Sequence, residues 1–524
     1  MAQGARAAES IPITAVPTIL VSTDSEPIAP GKFVPTWDSL KQYRVPEWFR
    51  DAKFGIWAHW GPQCQPEQGD WYARFMYVPG SQQNKWHIEH YGDPSSFGFK
   101  EVIHEWKAAN WDPEKLVALY KSAGAQYFVA LANHHDNFDN WDSKYQPWNS
   151  VNVGPKKDLI AGWAKAARAN GLKFGVSVHA SHAWSWYEPS QKYDGKLTKA
   201  DGTNQWWAGL DPQDLYAQNH APGKKFVWTW DASEGSGVPD AAYCQKFYNR
   251  TMDLINKYRP DLIYFDDNVL PLWPVSDVGL KIAAHFYNSN IKWQGEQNDG
   301  VLFGKVIDPE ERRCMVWDIE RGQANEIEPL PWQTDTCIGQ WHYNRSLFEQ
   351  HRYKSVKTVI QTLVDVVSKN GNLLLSIPVR GDGTIDEDEV KIVEGIGAWL
   401  DVNGEAIYGT RPWKVFGEGP ASEGAPIKAQ GFNEGKGKPF TAEDFRFTTK
   451  GDTLYAIELG WPTNGVSIKS LGTSAKLLGQ PVKKVQMLSS AEPLQWQQTA
   501  DALVIARPKT MPNDFAVVFK ISPK

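Results

Sequence analysis

The stretch Pro260-Asp-Leu-Ile-Tyr-Phe-Asp-Asp-Asn-Val-Leu-Pro271 decides how this chain is read. Leu262 to Phe265 is a short apolar run, too brief for a helix and bounded by Pro260 and by turn-forming residues. Such a run predicts a fully buried parallel strand. Upstream, Ala241 to Tyr258 places Tyr243, Phe247, Leu254 and Ile255 on one helical face. Downstream, Val278 to Phe286 reads as another helix. Helix, strand and helix in succession make an α/β unit. Asp266 and Asp267 then stand where the strand runs out, the end that carries chemistry in α/β barrels. An acid there also serves as a loop cap or a partner for a nearby cation, so the rest of the chain has to decide.

The same pattern recurs on both sides. Phe54-Gly-Ile-Trp-Ala-His59 reads as a buried strand, followed by Trp60-Gly61-Pro62 and by Asp70-Trp71-Tyr72 in a polar loop. Trp111-Asp112-Pro113 predicts a helix start, with Asp112 as cap and Pro113 in the first turn. Tyr127 to Ala132 is the next strand, ending in Asn133-His134-His135-Asp136. Asp158 opens a further helix, and Phe174 to Val178 is a strand that leads to His179, Ala180, Ser181 and His182. Ile291 to Glu296 and Cys314 to Glu320 are further strand candidates, the second ending in Asp318 and Glu320. Thr334 to Tyr343 carries Trp341 and His342. Val356 to Val367 marks the last long barrel helix, Leu373 to Ile377 closes the sheet, and Val390 to Leu400 forms one more amphipathic helix. Alternating helices and strands with polar strand ends predict a (β/α)8-like barrel of the TIM type.

Beyond Arg411 the texture changes to short alternating runs separated by Gly, Pro and Asn: 453–459, 482–488, 502–505 and 515–519. These predict an antiparallel β-sandwich. The expected division is an extended lead-in over 1–38 with little of its own to bury, a catalytic barrel over 39–410 and a C-terminal sandwich over 411–524. Residues 184–240 form a long insertion rich in Trp, Tyr and Gly, and a loop of that length is more often functional than idle.

Composition narrows the function classes. The net charge of −6 leaves no basic excess to neutralise phosphates, which argues against nucleic acid as a partner. No apolar run reaches the roughly 18 residues of a membrane span. The first residues, broken by Pro12 and Pro17 and lacking a basic start, do not read as a signal peptide. Cys64, Cys244, Cys314 and Cys337 lie far apart without metal-ligand spacing; two disulfides or four buried thiols fit equally. The 26 Trp residues fit either an aromatic core or stacking against sugar rings. There is no Walker motif and no dinucleotide fingerprint in a suitable context, so no cofactor is expected. Paired acids on a barrel top, with histidines and indoles around them, suit glycoside hydrolysis. Asp266 and Glu320 come from different strand ends and are expected to face one another.

Six stretches in order carry a resemblance: Lys53-Phe-Gly-Ile-Trp-Ala-His-Trp-Gly61, Asp70-Trp-Tyr72, His134-His-Asp136 with Trp141-Asp-Ser143, Asp261 to Asp266, Ser368 to Leu375, and Asn403 to Gly409. Together they resemble the family 29 α-L-fucosidases, retaining exo-glycosidases. The resemblance implies a fucosylated oligosaccharide or glycoconjugate as substrate, Asp266 as nucleophile, and Asp267 as a supporting or loop-capping residue. It implies His59, His134, His135 and Trp71 as hydrogen-bonding partners of the sugar hydroxyls. Asp70 stands where relatives often have Glu, with a shorter reach. Trp341 is implied against the sugar's methyl group and ring face. His179 and His182 replace what is often Tyr and either line the pocket or are structural. For the acid/base, Glu320 is chosen because it follows a strand; Glu326 and Glu328 are the alternatives. The Asn-Asp-Arg stretch of many relatives is not visible, and Arg321 is the nearest substitute for its arginine. The resemblance points to a periplasmic or secreted protein and is compatible with a homo-oligomer.

Two other readings remain. One is a metal-dependent barrel hydrolase using His59, His134, His135, His179 and Asp266. Its weakness is that adjacent residues on a strand point to opposite faces, and no metal is expected. The other is a non-catalytic sugar-binding protein, against which stands the presence of both Asp266 and plausible acids.

Overall fold

A computed structural model describes residues 11–230, 235, 237–295, 297–424, 426–427, 431–510 and 512–522. Eight parallel strands close into a barrel: β1 Phe54–Ala58, β2 Tyr127–Asn133, β3 Lys173–Val178, β4 Leu262–Asn268, β5 Val301–Lys305, β6 Val316–Asp318, β7 Trp332–Cys337 and β8 Gly371–Ser376. β1 pairs with both β2 and β8, which closes the ring. Residues such as Ile56, Val129, Val176 and Leu374 are fully buried, as expected of strands covered on both faces.

The helices start where the sequence places caps. Asp112 accepts from the Lys115 N–H with Pro113 in the first turn, and Asp158 accepts from the Ala161 N–H. Asp240 and Ser355 do the same for the helices Ala241–Tyr258 and Val356–Ser368. Asp386 and Glu389 form a capping box at Glu387–Asn403.

One strand assignment fails. Ile291 to Gln294 is the last turn of a helix, Val278–Gln294, that runs well past Phe286. Glu296 lies outside the described residues. The fifth strand is Val301–Lys305 instead. Ile291 and Trp293 are apolar for packing against the core from a helix, not for filling a sheet.

From residue 11 up to the short helix at Trp37 the described lead-in is irregular, and it buries more than the sequence suggests. Val21 and Phe33 are in the core. The Phe33 N–H donates to Asn288 and the Ala29 N–H to His285, tying this segment to the helix Val278–Gln294.

The C-terminal strands are antiparallel: β9 Arg411–Glu418, β10 Phe445–Lys450, β11 Thr453–Glu458, β12 Val466–Ile468, β13 Lys484–Met487, β14 Trp496–Gln498, β15 Leu503–Ile505 and β16 Val517–Ser522. They form a five-stranded sheet in the order β13-β16-β11-β10-β9 and a three-stranded sheet in the order β12-β15-β14, around a core that includes Phe447, Ile468, Leu503 and Phe519. The larger sheet is fixed to the barrel helix Val356–Ser368 by a buried ion pair, Arg446 Nε to Asp365 Oδ1 at 2.6 Å. Gln361 donates to the carbonyl of Leu459 in the same seam. All four cysteines are buried free thiols. Among the described residues no helix is long and apolar enough to cross a membrane.

Candidate active site

The C-terminal ends of β1 to β7 bring one residue after another to a single place. His59 follows β1, His134 and His135 follow β2, and His179 follows β3. Asp266 lies near the end of β4, Lys305 ends β5, Glu320 follows β6, and Trp341 and His342 follow β7. The register of β4 against β5 shifts between Tyr264 and Asn268, so the backbone that carries Asp266 is released from the regular ladder. Such irregularities re-aim side chains next to active sites.

Asp266 is held on three sides. His179 Nδ1 donates to Oδ2 at 3.0 Å, His135 Nε2 lies 3.1 Å from the same oxygen, and Lys305 Nζ donates to Oδ1 at 2.5 Å. Burial pushes this carboxyl upward, but the Lys305 ammonium, helped by the hydrogen bond from His179, outweighs it. The net effect holds Asp266 well below the ordinary carboxylate value. The neighbouring Asp267 points the other way, as alternation along a strand requires. It accepts from the Ser181 hydroxyl and lies 2.9 Å from His182 Nε2. Asp267 is thus a buried supporting residue, and His182, stacked on Trp230, belongs with it.

Lys305 also donates to Glu320 Oε2 at 2.5 Å. Two contacts of 2.5 Å to one nitrogen keep Asp266 Oδ1 and Glu320 Oε2 within about 5 Å of one another, close to the roughly 5–5.5 Å of retaining glycosidases. Burial raises the Glu320 carboxyl to about 7; Lys305 works against this, and the negative charges of Asp266 and Asp335 add to it. Glu328 is elsewhere. It pairs with Arg312 at 3.0 Å, and its carbonyl accepts from Asn370, just before β8 begins at the opposite end of the barrel. Glu326, two residues away, lies on the same return segment.

Arg321 does not reach these carboxylates. Its guanidinium lies over the Trp341 ring at 4.8 Å and donates to Cys337 Sγ and the Gly339 carbonyl. The cation between the acids is Lys305, which sequence reasoning missed. It ends the strand that was placed ten residues too early, and the visible signal was the apolar run Val301 to Phe303 ahead of a polar strand end.

The histidines pack edge to face. His59 has ring-centre distances of 5.1 Å to His134, 5.0 Å to His179 and 4.8 Å to His342. His134 and His135, 4.3 Å apart, stand in a turn beyond β2, so both reach the same site; strand alternation does not separate them. Gln63 donates to His134 Nδ1 at 2.8 Å and to Asp136, which leaves the His134 proton on Nε2. His135 donates from Nδ1 to the His179 carbonyl at 2.7 Å. Among the described residues, both ring nitrogens of His59 and of His342, together with Nε2 of His135 and of His179, are buried without a hydrogen-bond partner. Burial holds His59 and His134 well below the usual imidazole value and His179 at about 4, so these rings are neutral. Unpaired buried polar atoms are costly and rare. Their clustering here marks a site built for a ligand rich in hydroxyl groups.

The aromatic walls complete it. The Trp341 ring is 5.3 Å from Trp57 and 5.7 Å from His59. Trp71, in a left-handed backbone conformation, lies 6.4 Å from His135 and 5.7 Å from Trp228 of the long insertion. Asp70 is a staple: its Oδ1 accepts from the His342 backbone N–H at 2.8 Å. His342, named in the sequence but given no role, is brought fully into the site by that contact. The Trp abundance serves both expected ends. Trp60, Trp106 and Trp163 are core, while Trp71 and Trp341 are partly exposed at the site.

Two triads, His59-His134-His179 and His135-His179-Asp266, have possible ligand atoms within 4.8 Å of one another. The spacing argument against a metal therefore fails on geometry. Chemistry opposes it instead: Gln63 donates to His134 Nδ1, which leaves the His134 Nε2 protonated, and the Lys305 ammonium already neutralises Asp266.

Comparison with known proteins shows what the whole chain is similar to. The family model described as "Alpha-L-fucosidase" matches residues 20–405. The chain belongs to the α-L-fucosidase family. The model of the "Alpha-L-fucosidase C-terminal domain" matches residues 438–522. Tissue α-L-fucosidase of Mus musculus is 27% identical over 509 residues, covering 94% of each chain. An α-L-fucosidase of Branchiostoma floridae is 26% identical, covering 89% of each. Among solved structures, Thermotoga maritima α-fucosidase in complex with a mechanism-based inhibitor is 27% identical with a TM-score of 0.69, over 94% of this chain and 100% of that one. The same enzyme in complex with fucose gives 26% and 0.68, over 93% and 100%.

Proposed function

We propose that this family member is a retaining exo-α-L-fucosidase that removes terminal α-L-fucose from fucosylated oligosaccharides and glycoconjugates, with Asp266 as nucleophile and Glu320 as acid/base. The observation that carries this reading is the single Lys305 ammonium bridging the two carboxyl groups, which keeps Asp266 Oδ1 and Glu320 Oε2 within about 5 Å of one another, as double displacement needs. Their environments support different roles. Asp266 is kept as an anion, and Glu320 keeps a proton up to about pH 7.

In the first step an Asp266 oxygen attacks the anomeric carbon while Glu320 gives its proton to the departing oxygen. In the second, Glu320 takes a proton from water, the water oxygen attacks the same carbon, and the ester to Asp266 breaks. His59, His134, His135 and His179 bind the sugar hydroxyls. His134 donates from Nε2. A neutral His135 presents its Nε2 lone pair beside Asp266 Oδ2 and can accept from a sugar hydroxyl. Trp71 donates its ring N–H, and Trp341 covers the C5 methyl, whose burial favours a 6-deoxy sugar. Asp70 acts at one remove by fixing His342. Trp228 beside Trp71 and His182 supports an aromatic wall contributed by the 184–240 insertion. We read the chain as a lead-in over 1–38, a catalytic barrel over 39–410 and a C-terminal sandwich over 411–524.

The test is the anomer first released from an aryl α-L-fucoside, followed by NMR. α-L-Fucose appearing before mutarotation supports the reading; β-L-fucose contradicts it. The chemistry of the histidine triads favours no metal-dependent alternative.

A further inference from the structure

Lys305 stands in the site with no part in the scheme above, and three observations single it out. Its ammonium makes 2.5 Å contacts to both Asp266 Oδ1 and Glu320 Oε2. Its side chain is only 10% exposed, so water contributes little to stabilising the charge. The groups facing it are otherwise acidic or aromatic: Asp318 from β6, Asp335 from β7, and the Tyr264 ring of β4 at 5.2 Å. On the far side of Asp266 lie His135 and His179, and Arg321 acts on Asp335 from the β6–β7 connection.

We propose that Lys305 is a positioning residue that stays paired with one negative charge while that charge moves from Asp266 to Glu320 and back. The inference rests on the roles assigned above to those two residues. Before attack, Asp266 is the anion on Lys305, and Glu320 offers Oε2 to the ammonium as an acceptor. That arrangement leaves the Glu320 proton on Oε1, directed away from Lys305. Attack forms the bond from an Asp266 oxygen to the anomeric carbon and breaks the bond to the leaving oxygen, which takes the Glu320 proton. Asp266 is then a neutral ester and Glu320 the anion, with the same ammonium already in contact. A cation beside a lone carboxylate favours the ionised form, which Glu320 needs as a base. Water gives Glu320 its proton, the water oxygen bonds to the anomeric carbon, and the electron pair of the broken ester bond returns the charge to Asp266. The negative charge moves between two carboxyl groups in contact with one ammonium without losing its counter-ion, and little reorganisation is needed in a buried site.

Lys305→Met and Lys305→Arg are the variants to compare, as full-length chains on an aryl α-L-fucoside with a good leaving group. For Lys305→Met the expected results are a fall in kcat/KM of about 100-fold, the scale for losing one preorganised charge contact, and an acid limb of kcat/KM moved up by about one pH unit or more, since Asp266 loses its nearest cation. A burst of phenol approaching one per active site should appear, because the second step loses most. Lys305→Arg should return the limb towards its wild-type position. An acid limb of Lys305→Met that coincides with that of wild type would overturn the inference. So would losses that fall on KM alone, or a Lys305→Arg protein as impaired as Lys305→Met with both limbs unmoved. If Lys305→Met does not fold, Lys305→Gln, which also removes the charge, is measured in its place by the same criteria. Covalent labelling of Asp266 in wild type separates the two claims. Labelling without a Lys305 effect removes only this inference; labelling elsewhere removes the reading beneath it.

Discussion

The backbone N–H of Phe432 donates to the carbonyl of Glu320 at 2.8 Å. A segment between β9 and β10 therefore grips the loop that carries the proposed acid/base. The grip continues along the chain. The Glu434 N–H donates to the Arg321 carbonyl at 2.7 Å, Asn433 Oδ1 accepts from the Gln323 N–H, and the Glu434 carboxylate takes Thr336 and Lys354. The C-terminal region does more than cover the barrel: it sets the position of Glu320.

Glu434→Ala should lower kcat by about tenfold with KM little changed, because a charge-assisted contact is worth about 1.5–3 kcal/mol and acts here on positioning. Steady-state kinetics on an aryl fucoside check this. A change confined to KM would mean that the segment contacts substrate and does not orient the acid.

Glu320→Ala should lose the alkaline limb of the pH–rate profile. Glu320 acts first as an acid and is raised to about 7, so wild-type activity should fall as pH rises through about 7 and should fall on the acid side only as Asp266 is protonated, well below the ordinary carboxylate range. Azide added to Glu320→Ala should restore turnover as a fucosyl azide, because an anion needs no base in the second step. An unchanged alkaline limb in Glu320→Ala would point to another acid.

A strong chelator should leave kcat/KM unchanged after exhaustive dialysis. The histidine triads are close enough for a metal, yet Lys305 occupies the one carboxylate among them. Loss of activity restored by a divalent ion would reopen the metal-dependent reading.

Glu458→Gln should stabilise the protein, increasingly so as pH rises. Glu458 is 1% exposed at the end of β11, and burial pushes its carboxyl up to about 9. A raised folded-state value means that the folded chain holds the proton more tightly than the unfolded chain. The stabilisation is full below the unfolded value near 4.3 and is lost as pH rises towards about 9. A glutamine removes that slope, so the gain in Tm should amount to a few degrees at pH 8 and nearly vanish at pH 4. Equal gains at both pH values would show that packing, not ionisation, is responsible.

Much of this was legible in the sequence because it is written locally. The buried runs around Ile56, Val129 and Ile263, and the helix starts at Asp112 and Asp158, specify strands and helices with little help from tertiary structure. What failed was non-local. Ile291 and Trp293 are apolar in either a strand or a helix end, and only packing decides. That slip hid β5 and with it Lys305. The convergence of His134 and His135 depends on a turn beyond β2, which strand periodicity does not foresee. The grip of Phe432 and Glu434 on the Glu320 loop joins residues more than 100 positions apart and leaves no pattern in either segment.

The most direct test of the central claim is to trap the glycosyl-enzyme with a 2-deoxy-2-fluoro-α-L-fucosyl fluoride, digest the protein, and locate the label by mass spectrometry. The account predicts one 2-fluorofucosyl group per chain, on Asp266. A label on another residue, or rapid turnover of an aryl fucoside by Asp266→Asn, would contradict it.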